Sequence, residues 1–225
     1  MRTLLALTIT LAFAATDEAR ALNTRGYRLY KQKKYGEAAQ VFSEAIDADA
    51  TYALPYYNLA CTLSLLRAQG KICDHDAYRS SIIELLQDAV RLDPSRRKRL
   101  ATDKDLDAVR DTFGYYKLIG LSVKNPRDLR KILVAVTWYG PSPGAYGPMG
   151  GADFHADGTL STWSLDFPED GSVRRVPGKG TWRLEGTRVL IKAGAREVAA
   201  TLGEDGVLRF EDESTMTDDP DECSA

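Results

Sequence analysis

The chain is predicted to be an α+β protein, with an array of α-hairpins in its first half and an antiparallel β meander, a small barrel or half-open sheet, in its second. Three observations lead there. A helical pattern of apolar and small residues repeats after 34 positions near the amino terminus, the periodicity turns from helical to alternating after Lys131, and the later apolar runs are separated by Asp157-Gly158, Glu185-Gly186 and Asp205-Gly206. Such pairs signal hairpins, because glycine tolerates the positive φ that tight turns demand.

The chain opens MRTLLALTITLAFAATDEAR, with one arginine, an uncharged apolar run over residues 4–14, and small residues at Ala12 and Ala14. That arrangement predicts a secretory signal peptide over residues 1–14, cut near Ala14 or Ala15. The run is about half of the roughly 20 residues that cross a bilayer. No later stretch is apolar enough to span one, so no stable membrane insertion is expected after cleavage. The mature protein is expected in the periplasm or outside the cell. Residues 15–125 carry 18 Lys+Arg against 15 Asp+Glu, and residues 126–225 carry 11 against 17. Neither half is basic enough to argue for nucleic acid.

The first element pair follows from the repeat. Leu22, Gly26 and Leu29 return 34 residues later as Tyr56, Ala60 and Leu63, while Ala38, Phe42, Ala45 and Asp49 return 44 residues later as Ile82, Leu86, Ala89 and Asp93. Each set lies on one stripe of a helix, and the second copy has gained ten residues, near 68–77. Small residues let paired helices approach, and Pro94 stops the last helix because it cannot donate a hydrogen bond and clashes with the preceding turn.

On these residues, LNTRGYRLYKQKKYGEAAQVFSEAIDAD and LPYYNLACTLSLL…SSIIELLQDAVRLDP, residues 19–94 resemble the tetratricopeptide repeat (TPR) family. Two hairpins are too few to bury a continuous core, and LATDKDLDAVRDTFGYYKLIG reads as a degenerate third unit that closes a helical domain over 15–125. The resemblance implies a concave surface that receives a peptide or another protein, with Asn23, Tyr27, Tyr30 and Lys31 of the first unit and Tyr57, Asn58 and Cys61 of the second facing it. Tyrosines suit such a surface, or pack against a neighbouring helix. One TPR subclass clamps a terminal carboxylate with lysine and asparagine. Asn58 fits that pattern; Asn23 and Tyr27 do not, and the clamp is not expected.

The insertion carries Cys73-Asp74-His75-Asp76. Its plain reading is a turn, with Asp74 or Asp76 capping the next helix. A metal site lacks the second ligand cluster that structural zinc sites show. Cys61, twelve residues before Cys73, is the candidate disulfide partner; the closed loop is worth about 3 kcal/mol in the chain-entropy model. Free thiols are the alternative, and Cys223 would be left over.

Asn125-Pro126 marks a boundary, after which KILVAVTWYG, ADFHADGTLSTWSLDF, GKGTWRLEGTRVLIKAG and REVAATLGEDGVLRFED predict six or seven strands over 126–212. Their turns resemble, loosely, those of lipocalin-like meanders. A cavity wants about eight strands, so Trp138, Trp163 and Trp182 are expected to fill the interior. Trp163 and His155 are the alternative ligand contacts, in which case the β half would carry a small apolar molecule. An acidic tail, 213–225, is a candidate to fold back onto Arg96–Arg99 or into the groove. No G-x-S-x-G elbow is present, Cys73 and His75 share one loop without an orienting group, and the glycines of 140–151 lack phosphate-cradling spacing. No catalytic, cofactor or metal residue is assigned. The expected function is binding: an exported adaptor for an unidentified protein or peptide, with the apolar carrier as the alternative.

Overall fold

A computed structural model describes residues 15–141, 148–169 and 171–220. The expected signal peptide, residues 142–147 of the glycine-rich loop and Cys223 lie outside the described residues.

The first half is built from two α-hairpins. Helix α1 (Asp17–Lys31) is capped by Thr16, whose Oγ accepts from the Ala19 N–H, and Asp17 and Glu18 sit in its first turn, where the helix dipole favours them. Helix α2 (Tyr35–Ala48) returns after a tight turn with Lys33 at φ 60°. The crossing is close because position 26 has no side chain: a Cβ there would sit 2.7 Å from the fully buried Phe42 ring. Helix α3 (Ala53–Ala68) packs against α2, against α4 (Arg79–Leu92) and against the 3₁₀ segment Lys104–Val109. It is therefore buried on most of its circumference, with Ala60 fully enclosed.

The insertion folds back onto α2. Cys73–His75 forms a 3₁₀ turn, Asp76 turns the chain at φ 51°, and the His75 ring lies over Gly36. The expected aspartate cap is not made: Tyr78 stands at the N-cap of α4 without a side-chain bond. Cys61 is a free, buried thiol, so the expected Cys61–Cys73 disulfide does not form. Its thiol is enclosed beside Asp103 and Asp105 at the α1–α3 face, not at the insertion.

Residues 97–118 are not a third hairpin. They form a short α5 (Arg97–Leu100), the Lys104–Val109 3₁₀ segment and a short α6 (Phe113–Leu118). Asp103 and Thr112 each cap the element that follows, so polar caps interrupt what the apolar spacing alone would run together. Leu100, Leu106 and Val109 still close the helical core.

The second half begins with a helix, not a strand. Asn125 caps α7 (Pro126–Ala135), accepting from Arg127 and Asp128, and Pro126 takes the first turn, where no N–H is needed. Residues 131–135 thus close a helix whose Leu129, Ile132 and Leu133 are buried, and strand β1 starts only at Thr137. Eight strands follow as an antiparallel meander: β1 (Thr137–Tyr139), β2 (Gly150–Phe154), β3 (Thr159–Asp166), β4 (Arg174–Glu185), β5 (Arg188–Ala193), β6 (Arg196–Leu202), β7 (Leu208–Phe210) and β8 (Thr215–Met216). Tyr139 and Thr217 exchange backbone hydrogen bonds of 2.7 and 2.9 Å, joining the two edges into a nearly closed barrel. Among the described residues the count is thus eight, above the six or seven expected, because the three-residue β1 and β7 and the two-residue β8 are too short to show alternation.

Alternation places Trp182, Ile191 and Val198 in one cross-strand row, and Val189, Ala200 and Phe210 in the next. With α7 they enclose Trp138, Phe154 and Trp182, the last two edge to face at 5.2 Å. Each fully buried side chain of this size contributes about 1.5–3 kcal/mol relative to exposure. Trp163, expected in the core, is only partly buried: it lies near the far end of the β3–β4 hairpin, beneath Arg175 at 4.0 Å. His155 is exposed and contacts Ser161 at 2.8 Å.

The halves meet at α6. The β6–β7 turn brings Gly206, at φ +80°, onto the Phe113 ring, where a Cβ would come within 2.6 Å. Beyond β8, the Asp218 carboxylate accepts from the Phe113 N–H at 2.7 Å and its carbonyl accepts from Arg79. The described part of the tail does fold back, but onto this junction. Arg96 pairs instead with Asp93, and Arg99 with Asp103.

Candidate functional site

The groove residues expected from sequence converge. Tyr27, Tyr30 and Lys31 on α1 and Tyr57, Asn58 and Cys61 on α3 line one cavity of about 240 Å³, together with Phe42, Arg99, Asp103 and Asp105. Helical spacing explains the tyrosines: positions 27, 30 and 31 fall on one face of α1, and 57, 58 and 61 on one face of α3. The Tyr27 and Tyr30 rings stack at 5.8 Å, and Tyr27 is 49% exposed at the rim. Asn23 is placed differently from the expectation. It is buried and accepts from Asn58 Nδ2 at 2.8 Å, a bond that ties α1 to α3.

The cavity is a pit and not an open trough, because residues 99–105 lie across it. Tyr30 donates to the Asp105 carboxylate and Tyr57 donates to Asp103 Oδ2 at 2.9 Å. Asp103 Oδ1 accepts from the Asp105 N–H, and Arg99 Nε stands 3.6 Å from Asp103 while its guanidinium lies over the Tyr57 ring. Burial first, and the adjacent carboxylate hydrogen bond after it, push the Tyr30 phenol far above its ordinary range; burial does the same to Tyr57. Both hydroxyls therefore remain donors at any physiological pH. Burial, reinforced by Asp103 and Asp105, also drives the Cys61 thiol well upward. The result is a polar pit with acceptors on one wall, aromatic rings on the other and the cations Lys31 and Arg99 among its lining groups.

Sequence reasoning missed Arg99, Asp103 and Asp105. Asp103-Lys-Asp105 is the signal that was there, but without a fold nothing brings it to helices that lie 46 and 75 residues earlier.

A second cavity, about 450 Å³, opens at one mouth of the barrel. Met149, Ala193, Val198, Phe210 and Met216 give it a mainly apolar lining, and Arg196 and Asp212, paired at 3.0 Å, stand at its edge. Trp163 and His155 do not line it. A third, of about 290 Å³, lies at the junction around Arg79, Phe113 and Asp218. Among the described residues no helix is long and apolar enough to cross a membrane.

No family model matches the chain, and no curated protein matches it either.

Proposed function

We propose that this protein is an exported binding adaptor of the TPR-like kind, which receives a peptide or protein segment at the α1–α3 face. The observation that carries the reading is the convergence of Tyr27, Tyr30, Lys31, Tyr57 and Asn58 on one cavity, with Tyr27 half exposed at its rim. Large rigid rings offer contact area at low entropic cost, and the neighbouring charges supply orientation. The reading assigns binding and no catalysis. Its test is affinity capture from an exported fraction with the mature protein, followed by direct titration of the captured partner. A Tyr27→Ala/Lys31→Ala variant that keeps its circular dichroism should bind at least tenfold more weakly; unchanged affinity removes the proposal. Tyr57 is unsuitable for this purpose, being 2% exposed and part of the core.

The barrel mouth favours a second reading, carriage of a small apolar molecule. Eight strands and an apolar cavity support it. Val198→Trp should fill the mouth and abolish uptake of an apolar fluorescent probe; uptake unaffected by that change would remove it.

A further inference from the structure

We propose that Cys61, Asp103 and Asp105 together form a site for one divalent transition-metal ion of the zinc class, at the bottom of the α1–α3 cavity. The Cys61 Sγ and one oxygen of each carboxylate lie within 4.8 Å of one another. Zinc bound at about 2.3 Å to sulfur and 2.0–2.2 Å to oxygen in tetrahedral geometry sets its sulfur and oxygen ligands about 3.6 Å apart. A contraction of about 1 Å, within reach of carboxylate rotation, therefore closes the set around an ion.

A pair of acidic groups alone would mean nothing, and the thiol is what points to a ligand. Cys61 is only 5% exposed, is not in a disulfide, and makes no hydrogen bond to another side chain among the described residues, yet it faces two carboxylates. A buried thiol between two carboxylates is held protonated, and on metal binding it would release that proton and coordinate as the thiolate. Each carboxylate already accepts a phenolic hydrogen bond, from Tyr57 and from Tyr30. Such donors fix the orientation of carboxylate ligands in metal sites and are felt strongly in affinity.

The donor set selects the metal. One thiolate with two carboxylates suits zinc and its neighbours, whereas calcium and magnesium want six or more oxygens. Three protein ligands leave a fourth position open to the cavity, the arrangement in which a metal meets water or an incoming ligand group. Arg99 is the competing cation. Its contact with Asp103 is loose, 3.6 Å with a side chain 69% exposed, and it can withdraw to solvent when an ion enters.

The experiment uses the full mature chain, stripped with chelator and titrated calorimetrically with Zn²⁺, and then with Co²⁺ followed by absorption spectroscopy. Expected are one Zn²⁺ per chain and a sulfur-to-cobalt charge-transfer band. Cys61→Ser, with its fold checked by circular dichroism, should lose the band and the stoichiometric binding. Tyr30→Phe should weaken binding about 10–100-fold with the band retained. His75→Ala, in the insertion, should change neither. Failure of the chain to take up one equivalent overturns the proposal. So does uptake that survives Cys61→Ser, or uptake that is lost on His75→Ala. Peptide capture is measured separately, so either result leaves the adaptor reading to its own test.

Discussion

The closeness of α1 and α2 rests on Gly26, and adding one methyl there is a sharp probe of the helical half. In Gly26→Ala the new Cβ would stand 2.7 and 2.8 Å from two ring atoms of Phe42, a residue with no exposed surface and so no easy retreat. Overpacking of this kind costs about 1–3 kcal/mol. Against it, replacing glycine by alanine within a helix gains about 1 kcal/mol of propensity. The net expectation is a loss of about 0–2 kcal/mol, read from urea or guanidinium unfolding as a lowered midpoint at unchanged slope. The decisive comparison is the same substitution in a Phe42→Ala background, which removes every ring atom that the new Cβ would meet. There the clash is relieved and alanine should become stabilising by up to about 1 kcal/mol, so the two changes couple by about 1–3 kcal/mol in the double-mutant cycle. Equal effects in both backgrounds, within about 0.5 kcal/mol, would refute the claim that this crossing is set by a missing side chain.

Tyr27→Ala should leave stability within about 0.5 kcal/mol of the parent, as an exposed position allows, whereas Tyr57→Phe should cost about 1–3 kcal/mol by depriving Asp103 of a part-buried donor; thermal or denaturant unfolding separates them. Burial holds the Asp218 carboxyl above its ordinary value, against the opposing pull of the Phe113 N–H and Arg79, with Asp219 and Asp111 nearby. In the window between the ordinary and the raised value the folded state binds more protons, so this group's contribution to stability is present at the acid end and lost as pH rises through the window. Asp218→Asn, which can still accept from Phe113, should flatten that part of the stability–pH profile; an unchanged profile would show that Asp218 does not contribute to it. With Cys61 free and buried, Cys73 and Cys223 are the two cysteines left to pair in an oxidising compartment. Non-reducing peptide mapping of protein folded under oxidising conditions should recover that link, and a disulfide containing Cys61 would contradict the burial described here.

Sequence alone determined what is local. The stripes through Gly26, Phe42, Ala60 and Leu86 and the glycine turns each act within a few residues, through helix geometry or backbone sterics, and they define two hairpins and a meander. Even the tyrosine face could be found this way, since period alone gathers positions 27, 30 and 31. Tertiary structure decided everything that depends on distant parts of the chain meeting. Asp103 and Asp105 come to Tyr57 and Tyr30 across 46 and 75 residues, Thr217 closes the barrel on Tyr139, and Asp218 reaches α6. The same packing turns Cys61 from a disulfide candidate into an enclosed thiol. Carboxylates, thiols and two-residue strands carry no periodic signal, because their roles come from the groups they face and not from their neighbours in sequence. Whether they stay solvated or become a site is settled only when the core excludes water around them.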